Sequence, residues 1–231
     1  MVRATANLFL ETVPQPYRDA IFSRLQPVSL PLRTTMYEPG ATPQYVHFLT
    51  SGIASIVATM SNGDSVEVGI WGHEGMVESL HLLGAARVPN HCFMQVEGAG
   101  LRMPWDEFQR DFLPSEPVRR LVLQCAQSQS LILLQLAACN RLHEAEERLA
   151  RWLLMVQDRV EGDTLLLTQE FVAEMLGARR TTVTLAAGTL QRAGLIEYRR
   201  GSIRILDREN LEAAACECYQ TVQELFVNFY G

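Results

Sequence analysis

The 231-residue chain contains no lysine: all 20 of its basic residues are arginine. Any basic surface it presents is therefore built of planar guanidinium forks, which suit phosphates and guanine edges better than compact ammonium groups do. Positive charge is also in the minority. Asp and Glu number 26, so the formal charge is −6, which excludes a uniformly basic nucleic-acid coat but not a local patch. Cysteine is scarce. Five residues, an odd number without disulfide spacing, exclude a disulfide framework and fit a reducing compartment. Long hydrophobic runs are missing too. The most apolar stretch, LILLQLAAC from Leu131 to Cys139, is too short to span a bilayer and contains Gln135. The opening MVRATANLFLETVP has neither the apolar core nor the small-residue cleavage site of a signal peptide. No internal repeat or low-complexity tract is found. A cytoplasmic protein with no membrane partner is expected.

What is present falls into three parts. In residues 1–27, Tyr17, Ile21, Phe22 and Leu25 recur at helical spacing after Pro14 and Pro16, which predicts short helices. From Val28 to about Met103, short apolar or alternating runs are broken by turn residues. Ile53–Ala58, then Ser61-Asn62-Gly63-Asp64, then Val66-Glu67-Val68 predict a hairpin with a tight turn at Asn62-Gly63. Short strands this close together predict an antiparallel barrel or jelly roll. From about Pro117 to Val160 the chain is expected to be helical, with no internal Gly or Pro. Leu121, Cys125, Ser128, Ile132, Gln135, Cys139, Leu142, Glu146 and Leu149 form a three-and-four series there, the seam of an imperfect coiled coil. One helix of about 40 residues would be about 60 Å long, and its exposed stripe would need a partner, most simply the same helix of a second chain. The alternative is a helix broken near Asn140 and packed on its own domain. The fold class expected is α+β, with domains at 1–116 (barrel), 117–160 (dimerisation helix) and 161–231.

The third part carries the chemistry. Thr168 is placed to cap a helix through Leu176, Gly177 to end it in the left-handed region, and a second helix follows from Ala178 to Ala193. Two alternating strands around Arg200-Gly201 then read as a wing. Between 178 and 206, six Arg (179, 180, 192, 199, 200, 204) face one acid, Glu197: a local balance of +5 in a chain of net charge −6, the electrostatic footprint of phosphate contact. Helix, glycine turn and a second helix with a polar start make a helix-turn-helix, whose second helix enters the major groove of duplex DNA.

The segment LTQEFVAEMLGARRTTVTLAAGTLQRAGLIEYRRGSIRIL, Leu167 to Leu206, resembles the DNA-binding segment of the Crp/Fnr family of bacterial transcription regulators. The order of parts along nearly the whole chain is similar to that family's. The resemblance implies a homodimer on a pseudo-palindromic operator and leaves RNA polymerase open as a further partner. Base contacts are expected from Arg180, Thr181 and Thr184, and phosphate contacts from Arg179, Thr168, Thr182, Arg199, Arg200 and Arg204. Arg180 falls on the family's guanine-reading arginine. Thr181 stands where many members have Glu, Leu185 where many have a second Arg, and Arg179 replaces the common Ser, so a different half-site is expected. The dimer seam is expected at Leu121, Cys125, Ser128, Ile132, Gln135, Cys139 and Leu142.

In the sensor half, the cyclic-nucleotide-binding members have Gly-Glu and, ten residues on, Arg followed by Ser or Thr. Here Glu78-Ser79 and Pro89-Asn90 stand at those places, with Arg87 two residues away. Glu78, Ser79, Arg87 and Asn90 are the effector-site candidates. A cyclic nucleotide is not expected, because its buried phosphate would lack a partner. An iron–sulfur cluster is not expected either. Cys92, Cys125 and Cys139 are isolated, and Cys216-x-Cys218, read as helical, would point to different faces. Among His47, His73, His81, His91 and His143 no two form a ligand-spaced pair, so no metal site and no cofactor is assigned. The rivals are a constitutive DNA-binding factor with a purely structural barrel and a metal-dependent cupin-like enzyme; the latter needs a His and carboxylate cluster that the sequence lacks.

Overall fold

The computed structural model describes residues 7–84, 87–160, 162–199 and 201–230, the last four by backbone alone. Two short helices, α1 (Leu8–Thr12) and α2 (Tyr17–Phe22), open the chain. Asn7 starts α1: its side-chain Oδ1 accepts from Leu10 N–H, and its buried side-chain Nδ2 donates to the carbonyls of Leu49 and Gly75. One buried amide thus caps a helix and ties it to the strand that ends at Leu49 and to the segment after the strand that ends at Trp71.

Seven strands follow: β1 (Gln26–Leu30), β2 (Thr35–Tyr37), β3 (Tyr45–Leu49), β4 (Ile53–Thr59), β5 (Ser65–Trp71), β6 (His91–Val96) and β7 (Gly98–Pro104). They form two sheets, ordered β1-β7-β3 and β2-β6-β4-β5. Phe48, Ile53, Ile56, Trp71, Met76 and Met94 are nearly fully buried, which accounts for the run of apolar residues on strands that would otherwise alternate. The β4–β5 hairpin is present, but its turn differs from the expected tight one. Gly63 has φ +90, whereas Asn62 does not reach positive φ. The loop is instead closed by Met60 N–H on Asp64 and by the Asn62 side chain on Asp64.

A short helix α3 (Trp105–Asp111) leads into α4 (Glu116–Leu142) and α5 (Ala145–Gln157). The expected single helix of about 40 residues is therefore corrected. It breaks at His143-Glu144, where Glu144 N–H donates to the Glu147 carboxylate at 3.2 Å in a capping box. A strong N-terminal signal in mid-run outweighs the continuous helical pattern on either side. By length and composition α4 could cross a bilayer, but its exposed face carries Gln124 and Gln127, polar groups that hydrocarbon would leave unpaired.

The remaining elements are β8 (Thr164–Leu165), α6 (Gln169–Met175), α7 (Arg180–Arg192), β9 (Ile196–Arg199), β10 (Ser202–Ile205), α8 (Arg208–Ala214) and α9 (Cys218–Tyr230). The small sheet runs β8-β10-β9. The chain divides into two compact units, one of residues 1–56, 69–131 and 225–231, the other of residues 57–68 and 132–224. The boundary thus runs through α4, and α5 belongs with the second unit, packing on α7 and α8. In that unit Asp158, at the end of α5, accepts from Arg208, Tyr219 and Gln223, fastening the start of α9 to α5.

The residues expected to form a seam on α4 differ in their exposure. Cys125, Ser128, Ile132 and Cys139 are buried within their own chain, Leu121 and Gln135 are half-buried, and Leu142 is exposed. The exposed stripe runs instead through Leu123, Gln127, Leu131, Leu134, Ala138 and Leu142. Gln127, Leu131, Leu134 and Ala138 each stand one residue before an expected position, about 100° around the helix axis, and Leu142 belongs to both series. Cys216 and Cys218 are corrected as well. Cys216 lies in the break after α8 and Cys218 is the first residue of α9, so helical spacing does not apply between them, and with Cys139 they form one buried cluster.

Candidate nucleic-acid interface

The second unit builds the helix-turn-helix from local signals. The Thr168 hydroxyl accepts from Phe171 N–H at 3.1 Å and caps α6. Val172, Ala173 and Met175 face inward. Gly177, at φ +57, makes the left-handed step that a side chain resists, and Arg179 sits extended as the N-cap of α7. Helix α7 buries Val183, Ala186, Ala187 and Leu190 and turns its other face to solvent. Arg148 braces the frame: its guanidinium donates to the carbonyls of Asn140 at 2.8 Å and Leu176 at 2.5 Å, the latter at the C-terminal end of α6.

The exposed face of α7 carries Arg180, Thr181, Thr184 and Leu185, with Arg179 just before it. The structure thus brings the three base-contact candidates together at the start of one helix. Thr184 has local partners: its hydroxyl lies 3.0 Å from Gln169 Oε1 and 2.9 Å from Arg180 O. Thr182 is half-buried. Leu185 went unassigned in the sequence, although it is 72% exposed. A leucine on the polar face of an amphipathic helix was the signal, and in a major groove an apolar side chain there suits a thymine methyl.

On the wing, Arg199 pairs with Glu197 at 2.5 Å, and Arg204 pairs with Asp163 at 2.9 Å. The hydrogen bond from Arg204 holds the Asp163 carboxyl below its ordinary range. These are solvent-exposed, screened pairs of low worth, so both arginines can exchange an acid for a phosphate. Gly201 turns the wing at φ +81. Arg200 lies outside the described residues. Tyr198 is pushed above the usual phenol range, first by burial, and its backbone N–H donates to Gln191 at 2.7 Å, joining wing to helix α7.

The effector candidates differ in burial and in partners. Glu78 is fully buried and already spent. Its carboxylate accepts from His47 N–H at 2.8 Å and meets His47 Nδ1 at 2.7 Å. Ser79 is buried, whereas Arg87 is exposed and Asn90 half-buried. A separate cleft of about 420 Å³ in the first unit is lined by Tyr37, Glu38, Tyr45, His47 and Arg102 among others; Arg102 stacks over the Tyr45 ring at 4.0 Å. None of the four candidates lines it.

Residues 147–214 match the Crp-like helix-turn-helix domain. Among curated protein sequences none matches the chain. Solved structures with the same fold include a Crp/Fnr-family protein from Eubacterium rectale, at 17% identity over 88% of this chain and 95% of that one, with a TM-score of 0.72. FixK2 from Bradyrhizobium japonicum aligns at 15% identity over 83% and 98%, with a TM-score of 0.68. A Crp-family transcriptional regulator from Thermus thermophilus aligns at 19% identity over 82% and 96%, with a TM-score of 0.65. The chain therefore has the Crp/Fnr-like fold of strand domain, long helix and winged helix-turn-helix, with residues 147–214 similar to the Crp-like helix-turn-helix domain.

Proposed function

We propose that the chain is a homodimeric, sequence-specific transcription regulator acting in the cytoplasm on a pseudo-palindromic operator. The observation that carries this reading is the exposed start of α7, where Arg179, Arg180, Thr181 and Leu185 project from a helix held by a glycine turn and flanked by the arginines of a wing. Arg180 reads a base edge and Leu185 meets a thymine methyl, while Arg179, Thr182, Arg199 and Arg204 position the backbone. Two chains joined along the exposed α4 stripe set their recognition helices about 34 Å apart, one turn of DNA. RNA polymerase is a further partner under this reading.

The buried Glu78–His47 pair supports a barrel that does not hold a cyclic nucleotide through the family's residues. Selection of fragments from randomised duplex DNA at fixed salt tests the reading. Wild-type chain enriches a two-fold-symmetric site, and Arg180→Ala relaxes one position in each half. Absence of enrichment both with and without cell extract overturns it.

A further inference from the structure

Three cysteines and a histidine from two distant stretches of sequence converge in the second unit. Cys139 lies in the last turn of α4 and His143 just past its end, four residues on. Cys216 and Cys218 bracket the start of α9. Their sulfur and nitrogen atoms all lie within 4.8 Å of one another. Cys139 Sγ is 3.5 Å from Cys216 Sγ, and Cys218 Sγ is 3.6 Å from His143 Nδ1. In a tetrahedral site with zinc–sulfur bonds of about 2.3 Å, neighbouring ligand atoms stand roughly 3.8 Å apart. The two distances thus approach the edges of such a tetrahedron. A multi-iron cluster interposes several metal and sulfide atoms between its thiolates, whereas a group this tight has room for one ion.

We propose that Cys139, His143, Cys216 and Cys218 bind a single zinc ion through three thiolates and the His143 Nδ1 atom.

The surroundings are those of a metal site and not of an apolar core. His143 Nε2 lies 3.2 Å from the Glu217 carboxylate, so the ring is oriented by the carboxylate–histidine arrangement that fixes the tautomer of a ligating imidazole. The amide nitrogen of Gln135 donates to Cys218 Sγ at 3.1 Å, a contact that favours thiolate over thiol. Arg151 is 3% exposed, and its charge acts on both Cys139 and Cys216. Its side chain donates to the Met155 sulfur, and its Nε has no hydrogen-bond partner among the described residues. A buried guanidinium needs a counter-charge. Three thiolates, one neutral imidazole and one divalent cation sum to −1, the charge that Arg151 balances.

The ligands also say what the ion does. One pair sits at the α4–α5 break and the other at the α8–α9 break. The ion therefore clips the residues after the winged helix-turn-helix to the end of the helix before it, where no disulfide or regular element makes the link among the described residues.

The test uses the full-length chain, purified reduced and metal-free, then titrated with zinc and separately with cobalt(II) as a spectroscopic probe. The expected result is one ion per chain, with the intense sulfur-to-cobalt charge-transfer and tetrahedral d–d absorption of a three-thiolate site, and a rise in Tm on zinc loading. Cys218→Ser lowers cobalt affinity by about 100-fold or more. Glu217→Gln, at an exposed position outside the ligand set, lowers it by roughly tenfold. Cys92→Ala, in the strand domain, leaves both spectrum and stoichiometry unchanged. Far-UV circular dichroism confirms that each variant is folded; should Cys218→Ser unfold, His143→Asn supplies the ligand-loss variant at a half-exposed site. Less than about 0.1 equivalent of either metal taken up by the folded, reduced wild-type chain overturns the proposal. So does a Cys139–Cys216 disulfide as the only modification found in those thiols, with no metal uptake after reduction.

Discussion

Leu134 separates the two possible dimer seams on α4. It is 68% exposed, while Ile132, two residues away and on the seam that periodicity predicts, is 2% exposed. Burying a whole leucine side chain stabilises by about 2 kcal/mol. Covering the exposed part of Leu134 in a partner contributes about 1.4 kcal/mol per chain on that scale. A two-fold axis counts it twice, so Leu134→Ala weakens the dimer by about 2.7 kcal/mol, roughly 100-fold in its Kd. Ile132→Ala acts through a different route. Its side chain is packed inside one chain, so truncation leaves a cavity and costs about 2–5 kcal/mol of folding stability. Sedimentation equilibrium across a concentration series measures the first effect, and urea denaturation at high protein concentration the second. The reasoning fails if Leu134→Ala leaves the dimer Kd unchanged while Ile132→Ala raises it in a chain that stays folded.

Arg180→Ala is expected to cost about 1–3 kcal/mol against the preferred base in each half-site with little change in the slope of log K against log salt, whereas Arg204→Ala weakens all sequences alike and flattens that slope by about one unit. Fluorescence anisotropy at several salt concentrations distinguishes them. Gly177→Ala places a side chain at φ +57, and its Cβ would stand 2.8 Å from Val66 Cγ2. A loss of at least ~1–2 kcal/mol in urea denaturation is expected, and no loss would contradict the left-handed turn. His81, among Tyr37 and Trp105, is lowered to a pKa of about 4 by burial. Between pH 6.5 and about 4 the unfolded chain takes up a proton that the folded chain resists, so stability falls as pH falls through that window. Discounted for partial exposure, the loss is about 1–2 kcal/mol. It should be absent from His81→Phe, and equal slopes of stability against pH in the two chains would count against it.

Sequence alone determined much of this protein because its signals are local. Thr168 before an apolar run, Gly177 after it and Gly201 in the wing each specify backbone geometry within a few residues, and the structure uses all three as read. The arginine patch was legible for the same reason: its members, Arg179 to Arg204, are close neighbours along the chain. Tertiary structure decided the rest. Which side of α4 is covered depends on what packs against it, and periodicity specifies a spacing but not a direction; Cys125, Ser128, Ile132 and Cys139 are therefore covered by their own chain. The capping box at Glu144 competed with a continuous helical pattern, and its strength was not visible without the break it stabilises. Glu78 belongs to His47, 31 residues away, and no motif spacing announces that pair. Cys139 and Cys216 are 77 residues apart. Their meeting is a consequence of where α8 ends, because ligand atoms are brought together by the packing of whole elements and not by the spacing of the residues that carry them.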